Sequence, residues 1–293
     1  MDLVGKRIIV TGSEGFLGRH LVQKLRREGA EIIGIAKGGD VTDWDQVKIY
    51  HDIDIIYHLA AKTYIPTANE DPREMYRTNL IGTLNMLELG RRNGAKSFIF
   101  ASSYIYGHPK YIPINESHPV NPTNAYSRSK ALAEDLCGAY YQDYGLGCVI
   151  IRAFNIYGEG QKDDFLIPTI IKQIAKREIE LRDSEPRRDF LYVNDAVEAY
   201  VRAAKYCRSN FEVFNIGSGV SYSIDEIVRK IIAVSGQRVG VRYLHLRREN
   251  EVMNTVADIR KAREKLGWEP KFSIEEGLKN VMCKYSSKKS SMK

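Results

Sequence analysis

The sequence predicts an α/β protein with a parallel sheet that is covered by helices on both faces. Arg7–Thr11 is a short β-branched strand, and Gly15–Arg27 follows it with the periodicity of an amphipathic helix. Later runs that begin at Ile53, Ser97 and Cys148 are apolar on consecutive residues, as in strands buried between two helical layers. The alternation of such strands with helices indicates parallel pairing through crossover connections.

The remaining elements follow in chain order. Glu31–Ala36 predicts a second strand, and long amphipathic patterns predict helices over Pro72–Arg92 and Ala125–Tyr144, each with a glycine near its end. Beyond Gly158 the sequence predicts a helix around Pro168–Arg177 and short segments separated by turns. We therefore expect a large domain of residues 1–157 with part of 190–220, a smaller α/β lobe of 158–189 and 221–285, and a disordered tail at 286–293.

The composition is typical of a folded globular protein. The 293 residues are 43% hydrophobic and 28% charged, which allows a large folded core. No signal peptide or transmembrane run is recognisable, so we expect a cytoplasmic protein. The four cysteines lack CxxC spacing and predict neither a zinc site nor a disulfide framework. The net charge of +7 is spread along the chain and fits an anionic small-molecule substrate at least as well as nucleic acid, so charge alone does not decide between them. We expect a small-molecule substrate and neither nucleic acid nor membrane as a partner.

The first strand ends in a glycine-rich loop that opens the first helix. Gly12, Gly15 and Gly18 form a GxxGxxG pattern at this turn. In a βαβ unit such glycines permit a tight turn, close approach of the backbone to a pyrophosphate and close packing of helix on sheet, while helix N-terminal amides bind the anion. The loop therefore predicts a dinucleotide site on a Rossmann-type, doubly wound sheet.

A tyrosine and a lysine are spaced to share one face of a predicted helix. Tyr126 and Lys130 lie one helical turn apart. An ammonium near a phenol favours the phenolate, so this tyrosine can serve as a general acid or base near neutral pH. Ser102 and Ser103 end a strand at the carboxyl edge of the sheet, where open α/β sheets bind ligands. The three side-chain types together predict a proton-transfer site.

The order of ten short motifs carries a resemblance to a known family. They are TGSEGFLG, GDVTD, HLAA, NLIGT, SSYIYG, YSRSK, RAFNIYG, RRDFLYVND, FNIGSG and LGWEP. The chain resembles the extended short-chain dehydrogenase/reductases that act on nucleotide sugars, in particular the UDP-glucose 4-epimerase-like group. The resemblance runs from about Gly5 to Tyr285.

The resemblance implies a cofactor, NAD with NADP as the alternative, and the residues that hold it. Tyr126 would be the catalytic acid/base, and Lys130 would lower its pKa and bind the nicotinamide ribose. Counting back four residues from the tyrosine of YG selects Ser102 as the catalytic serine, with Ser103 as the alternative; His58 is expected to be a packed residue. The implied cofactor-binding residues are Gly12, Gly15, Phe16, Leu17, Gly18, Lys37, Asp40, Val41, Leu59, Ala60, Ala61, Asn79, Tyr126 and Lys130. No metal is implied.

The resemblance also implies a nucleotide-sugar site. Asn155, Arg188 and Arg248 would contact the diphosphate, and Glu251 the ribose. Thr255 stands where relatives carry a bulkier residue, which predicts tolerance of an N-acetyl group. The implied substrate-binding residues are Thr63, Ser102, Ser103, Asn155, Arg188, Arg248, Glu251 and Thr255. A homodimer is expected, through the helices that begin at residues 72 and 125.

The implied reaction is C4 epimerisation of a UDP-hexose through a transient 4-keto sugar. One alternative is an NADPH-dependent reductase of a nucleotide-linked 4-keto-6-deoxyhexose, and another is a nucleotide-binding regulatory protein without catalysis. Dehydration is disfavoured, because 4,6-dehydratases of the family carry an Asp-Glu pair after the catalytic Ser/Thr, where this chain has Ser103 and Tyr104.

The stretch AKGGDVTDWD departs from the family pattern. Where the acid that contacts the cofactor ribose would stand, the chain has Ala36 and Lys37. In most relatives a loop and a strand separate that position from GDVTD, so we interpret Asp40 as an adenine-pocket residue moved closer by a deletion. With Lys37 able to attract a 2′-phosphate, the stretch leaves NADP open beside NAD.

Overall fold

A computed structural model of the chain describes residues 2–36, 38–63, 71–207, 210–248 and 250–290. The strands are β1 (Arg7–Thr11), β2 (Glu31–Ile35), β3 (Ile55–His58), β4 (Ser97–Ser103), β5 (Cys148–Ala153), β6 (Asn155–Tyr157), β7 (Glu178–Leu181), β8 (Arg187–Tyr192), β9 (Phe211–Ile216), β10 (Ser221–Ser223) and β11 (Gly240–Tyr243). The helices are α1 (Phe16–Arg27), α2 (Trp44–Val47), α3 (Pro72–Tyr76), α4 (Gly82–Asn93), α5 (Ala125–Tyr144), α6 (Leu166–Ile174), α7 (Val193–Tyr206), α8 (Ile224–Ser235), α9 (Arg260–Leu266) and α10 (Ile274–Ser290), with a π-helical turn at Arg77–Ile81.

The central sheet is parallel throughout, as predicted. Its six strands lie in the order β2-β1-β3-β4-β5-β9. The strand order reverses between β1 and β3, and open α/β sheets bind ligands at the carboxyl ends of the strands beside such a switch point. β2 is an edge strand, and Asp40 follows its end by five positions with no strand between them in the described residues. This agrees with the deletion inferred from AKGGDVTD.

Two apolar layers explain why the strands are hydrophobic on consecutive residues. Ile8 and Ile99 belong to the cluster on one face of the sheet, whereas Ile9 and Phe100 belong to the cluster on the other. Successive strand residues point to opposite faces, so both faces must be apolar when helices cover both. The larger cluster also includes residues of α6, α8 and α10. The smaller C-terminal part thus shares a continuous core with the sheet, and the lobe boundaries stay a prediction.

The C-terminal part is fastened to α7, a helix that the sequence analysis missed. The Asp195 carboxylate accepts from the backbone amides of Lys271 and Phe272, at 3.0 and 3.1 Å, and the Trp268 indole donates to the Asp195 carbonyl at 2.9 Å. Trp268 is 1% exposed. The VND and LGWEP motifs are therefore hydrogen-bonded to each other and hold the C-terminal part against α7. The smaller sheets, β10-β8-β6 and β11-β7, lie in this half of the chain.

Helix ends and interruptions differ in part from the sequence predictions. The helix expected over Pro72–Arg92 is interrupted by the π-turn. Gly94 and Gly145 close α4 and α5 in the left-handed conformation, at φ 60° and 70°, as glycine C-caps do. The backbone of α10 continues to Ser290, into the segment predicted as a disordered tail.

Within the part of the chain that the structure describes, no helix is long and apolar enough to cross a membrane. The same residues contain no cluster of His, Cys, Asp and Glu that could hold a metal ion. All four cysteines are free.

Candidate active site

The glycine loop has the close backbone packing that its pattern predicts. Gly12 has φ of 66°, and a Cβ on it would lie 3.1 Å from the Ala60 amide nitrogen. A Cβ on Gly18 would lie only 2.1 Å from the Gly12 carbonyl oxygen. Gly15 is the N-cap of α1 and supplies no side-chain cap, which leaves the first amides of the helix available to an anion. The loop fits a dinucleotide pyrophosphate, and Phe16 and Leu17 lie half-buried in the first turn behind it.

The loop after β3 closes the other side of this crevice. The Thr11 hydroxyl accepts the backbone amides of Leu59 and Ala60, each at 3.0 Å. These bonds hold the HLAA segment, including half-buried Ala61, against the end of β1. The carboxyl ends of β1 and β3 therefore form one continuous backbone surface.

Asn79 supports this surface and does not present its amide to it. Its side chain is 1% exposed, accepts from Lys62 N at 2.8 Å, and donates to Lys62 O at 3.1 Å. It also donates to Ser129 Oγ at 2.8 Å, and Ser129 in turn donates to the Tyr126 carbonyl. Asn79 thus fixes the loop to α5, and its predicted contact with the cofactor stays a prediction.

The region predicted to hold the adenosine includes Asp40 and Val41, which the structure describes, and Lys37, which it does not. Asp40 accepts from Thr42 N at 2.8 Å and from the Arg77 guanidinium at 3.2 Å, and the Thr42 amide lowers the pKa of its carboxyl. Val41 is buried, and its carbonyl accepts from Asn85. A cavity of about 390 Å³ opens here between the end of β2 and α2. Lys37 lies outside the described residues, so its predicted role is untouched.

Tyr126 sits in the first turn of α5, which a reciprocal capping box fixes. Asn124 accepts from Ser127 N at 2.9 Å, and the Ser127 hydroxyl accepts from Asn124 N. Burial raises the pKa of the Tyr126 phenol, and the nearby Ser103 hydroxyl opposes that rise. The structure thus brings a serine hydroxyl and the phenol together at the end of β4.

The serine that meets the phenol is Ser103, the alternative, and not Ser102. The Ser102 hydroxyl donates to Glu134, and its side chain is 7% exposed. Adjacent strand residues point to opposite faces, so the two serines cannot both face the crevice. The strand β4, and not the YG motif, fixes which face each serine takes, so the structure places the alternative Ser103 beside the phenol, and the choice of catalytic serine stays a prediction. With Ser103 in that place, the next residues are Tyr104 and Ile105, which again offer no Asp-Glu pair.

Lys130 is buried one turn below Tyr126. Its ammonium donates to the Ala101 carbonyl at 2.7 Å and lies 4.6 Å from the centre of the Phe100 ring. Burial lowers the pKa of Lys130 to about 8. In this arrangement the amine is directed at Ala101, and the predicted lowering of the Tyr126 pKa by Lys130 is not seen. The lysine is nevertheless placed, nearly unhydrated, at the floor of the crevice.

A buried ion pair supports the site from beneath, and the sequence analysis missed it. Arg152 on β5 meets Glu134 on α5 at 2.6 Å, and also donates to the Tyr106 hydroxyl at 3.0 Å. Both charged side chains are less than 9% exposed. The available signal was spacing, because Glu134 falls four residues after Lys130 on the same buried helix face.

The predicted substrate residues gather around the start of β8. Arg188 is paired with Glu251 and donates to the Val252 carbonyl at 2.6 Å, and burial lowers its pKa. Asn155 donates to the Asp189 carbonyl at 3.2 Å, and Thr255 donates its amide to the Arg187 carbonyl. The sequence motifs RAFN, RRDF and RRENEV therefore meet in space.

The outer substrate positions are less enclosed. Arg248 is exposed and close enough to Arg188 for its charge to lower the pKa of that guanidinium. Thr63 is exposed at the end of its described segment. Tyr104, directly after Ser103, lies within electrostatic reach of Arg188, so the proton-transfer residues and Arg188 lie in the same region of the molecule.

The fold and this cluster define an NAD(P)-dependent enzyme of the short-chain dehydrogenase/reductase type. Comparison with known proteins agrees: the NAD dependent epimerase/dehydratase family matches residues 8–217. The chain belongs to that family.

Individual relatives cover nearly the whole chain. A putative UDP-glucose 4-epimerase of Methanocaldococcus jannaschii is 33% identical, over 94% of this chain and 97% of its own length. Two solved structures superpose closely. One is a UDP-glucose 4-epimerase of Thermotoga maritima with UDP-glucose, with a TM-score of 0.90 and 28% identity over 96% of this chain and 99% of that one. The other is RMD of Pseudomonas aeruginosa with NADPH, with a TM-score of 0.88 and 29% identity over 97% and 99%.

Proposed function

We propose that the chain is a nucleotide-sugar 4-epimerase that acts on a UDP-hexose. The observation that carries the proposal is that the Arg188–Glu251 pair lies within electrostatic reach of Tyr104, the residue after Ser103, which in turn lies near the Tyr126 phenol. A diphosphate held at the arginines would present its sugar to the phenol. The relatives from M. jannaschii and T. maritima, both named UDP-glucose 4-epimerases, support this choice of substrate.

The chain's own groups supply the proton handling. Ser103 lies near the Tyr126 phenol and would donate a hydrogen bond to the reacting sugar oxygen. Tyr126 as phenolate would take the proton of the C4 hydroxyl and return it after the keto sugar has turned over. A bound nicotinamide dinucleotide supplies the hydride acceptor and donor. Lys130 would hold the nicotinamide ribose, and the amides at the start of α1 would hold the pyrophosphate.

Guanidinium groups are suited to the diphosphate. Arg188 is rigidly held by two carbonyls and Glu251, whereas Arg248 is exposed and free to move onto a phosphate. Bidentate guanidinium–phosphate bonds are stronger than bonds between neutral groups. We expect Arg248 to make the closer contact, because the charge of Arg188 is already balanced.

The test is interconversion of UDP-glucose and UDP-galactose without added cofactor, followed by ¹H NMR of the anomeric protons. Tyr126→Phe should abolish turnover, while Tyr144→Phe, an exposed phenol on the same helix, should not change it. Native mass spectrometry of the purified protein would identify the dinucleotide and any sugar nucleotide. Absence of turnover for both sugars and for their N-acetyl forms would refute the proposal.

A reductase of a nucleotide-linked 4-keto-6-deoxyhexose is the second candidate. It is favoured by the shortened segment after β2 and by the NADPH-bound P. aeruginosa relative. Among the described residues that line the cavity beside β2, Asp40 is the sole carboxylate, and Arg77 neutralises it. NADPH oxidation with a GDP- or dTDP-4-keto-6-deoxyhexose, absent with UDP-hexoses, would establish this function instead.

Thr255 bears on the size of the sugar. It is 3% exposed, and its hydroxyl has no hydrogen-bond partner within the described residues. A small side chain at this position supports our expectation that UDP-N-acetylglucosamine is accepted. Comparable kcat/KM for the plain and N-acetylated sugars would agree with it, and Thr255→Tyr should selectively reduce turnover of the N-acetylated sugar.

We further propose a homodimer through α4 and α5. Ile81, Leu84 and Leu132, on and beside these helices, are 36–44% exposed although they are large and apolar. Light scattering should give twice the chain mass, and Leu132→Glu should give the monomer.

A further inference from the structure

His58 is the last residue of β3 and lies in the interior, 0% exposed, directly before the loop that closes the cofactor crevice. Its ring spans two threonines, with Nδ1 2.8 Å from Thr11 Oγ1 and Nε2 3.1 Å from Thr83 Oγ1. Both threonines are also 0% exposed. Since every group is buried, each donor must find an acceptor within this chain of contacts.

The Thr83 end of this series of hydrogen bonds fixes the direction of every bond in it. The Thr83 hydroxyl donates its single proton to the Asn79 carbonyl at 2.7 Å, so it can only accept from the ring. His58 Nε2 must therefore carry the hydrogen. In the neutral ring Nδ1 is then an acceptor, and it receives the Thr11 proton.

This direction leaves the lone pairs of Thr11 free for the loop. With its proton committed to His58, the Thr11 hydroxyl accepts from Leu59 N and Ala60 N, both at 3.0 Å. The same loop backbone lies against Gly12, whose Cβ would sit 3.1 Å from Ala60 N. The separation between the glycine loop and the β3 loop thus depends on one oriented hydroxyl.

We propose that His58, as the neutral Nε2–H tautomer, is a positioning residue that orients Thr11 and so sets the width of the dinucleotide crevice. The proposal rests on dinucleotide binding at this crevice and not on the identity of the sugar. It differs from plain core packing, because an apolar ring of the same size would fill the space but leave the Thr11 proton without an acceptor.

The surroundings favour the neutral ring. Phe98 and Phe100 pack on His58 with ring centroids 6.0 Å away, and Lys130 lies over the Phe100 ring. Burial, assisted by the Lys130 charge, lowers the pKa of His58 to about 3. A protonated ring would also direct an Nδ1–H at the Thr11 hydroxyl and reverse its orientation.

Binding of NADH and NADPH is measured without sugar, by fluorescence titration of protein freed of dinucleotide. His58→Phe and Thr11→Val should each raise Kd about tenfold or more. The first leaves the buried Thr11 hydroxyl without an acceptor, and the second leaves the partly buried amides of Leu59 and Ala60 without theirs. His58→Asn, with a carbonyl oxygen where Nδ1 stands, should restore binding to within about threefold. The double variant should bind no more weakly than the worse single variant, since both act through one bond.

Tyr57→Phe is the matched control. Tyr57 precedes His58, is 0% exposed, and has a hydroxyl with no hydrogen-bond partner among the described residues. Its removal should leave Kd unchanged. Unchanged Kd in His58→Phe together with a lowered Tm would show a packing role only and overturn the proposal.

¹⁵N–¹H NMR of the wild-type imidazole decides the case even if variants fail to fold. The expected result is an Nε2–H tautomer that does not titrate between pH 5 and pH 9. An Nδ1–H tautomer, or titration near the ordinary histidine pKa, would overturn the proposal. Neither reading depends on epimerase activity, so the failure of the proposed function would be recognised separately.

Discussion

Ser102 and Ser103 are neighbours in sequence and point to opposite sides of β4: the Ser102 hydroxyl donates to Glu134, whereas Ser103 lies near the phenol of Tyr126. The first hydroxyl therefore stabilises the interior, and the second faces the cleft. The strand's alternation produces this division.

Substitution of the two serines should give different phenotypes. Ser103→Ala should lower kcat about 100-fold with little change in Tm, because it removes a donor that faces the reacting oxygen. Ser102→Ala should keep kcat within about threefold but lower the free energy of unfolding by about 1–2 kcal/mol, because Glu134 loses a buried donor. Steady-state kinetics and urea unfolding of both variants check this. The opposite pattern would restore Ser102 as the cleft serine.

Lys130→Met should stabilise the protein while it abolishes activity. Lys130 is 3% exposed, and burial lowers its pKa from 10.5 to about 8, so the folded state bears the penalty of a buried cation at pH 7. After the lost bond to Ala101 is deducted, we expect a gain of about 1–2 kcal/mol in the free energy of unfolding at pH 7.

The direction in which this stability difference changes with pH follows from the linkage between proton binding and folding. Below pH 8 both states hold the proton and the penalty is complete; between pH 8 and 10.5 the unfolded state binds more protons, so wild-type stability from this group rises. The advantage of Lys130→Met should therefore shrink between pH 7 and pH 9.5. A constant difference across that range would contradict the assigned cause.

Gly18→Ala should damage both fold and cofactor binding. The new Cβ would lie 2.1 Å from the Gly12 carbonyl oxygen, a rigid backbone atom, so α1 must move away from the loop. We expect a loss of about 2 kcal/mol or more in stability and a higher Kd for the dinucleotide. Gly138→Ala in α5 is the control: its Cβ would have ordinary 3.9 Å contacts, and alanine should stabilise the helix by about 0.5–1 kcal/mol. Equal effects of both changes would argue against close packing of the loop.

Glu134→Ala should be among the most destabilising changes in α5. It leaves the buried Arg152 charge without its partner, which costs about 3–5 kcal/mol. Glu134→Leu with Arg152→Met removes both charges and should recover much of the loss. Thermal unfolding of the single and double variants measures this. A double variant no more stable than the single one would show that the geometry, and not charge balance, matters here.

The parts that were predictable from sequence share one physical basis. β1, β3 and β4 are apolar on both faces, and the glycines at 12, 15 and 18 stand where only backbone fits, so local chemistry determines them. The short passage from Ala36 to Asp40 likewise left no room for a strand, and none lies between β2 and Asp40 in the described residues. α7 was missed although Val193, Val197 and Val201 recur at helical spacing; that signal was available.

Other features depend on contacts between distant residues. The Glu134–Arg152 pair joins residues of α5 and β5, and the choice between the two serines depends on which layer each face of β4 meets. The interruption of the helix over Pro72–Arg92 has no sequence signature, since a π-turn differs from an α-turn only in its hydrogen-bond partner.

That π-turn, Arg77–Ile81, carries one residue more per turn than the helices on either side of it. Because the extra residue is taken up within one wide turn, the helices on either side face nearly the same way as they would in an unbroken α-helix one residue shorter. The wide turn itself holds Asn79 against Lys62 and Ser129, and Arg77 against Asp40. Removing one residue of the turn should therefore keep the directions of α3 and α4 and disturb these local contacts. An insertion within α4, which has no wide turn to take it up, should instead rotate the residues on one side of it by about 100°.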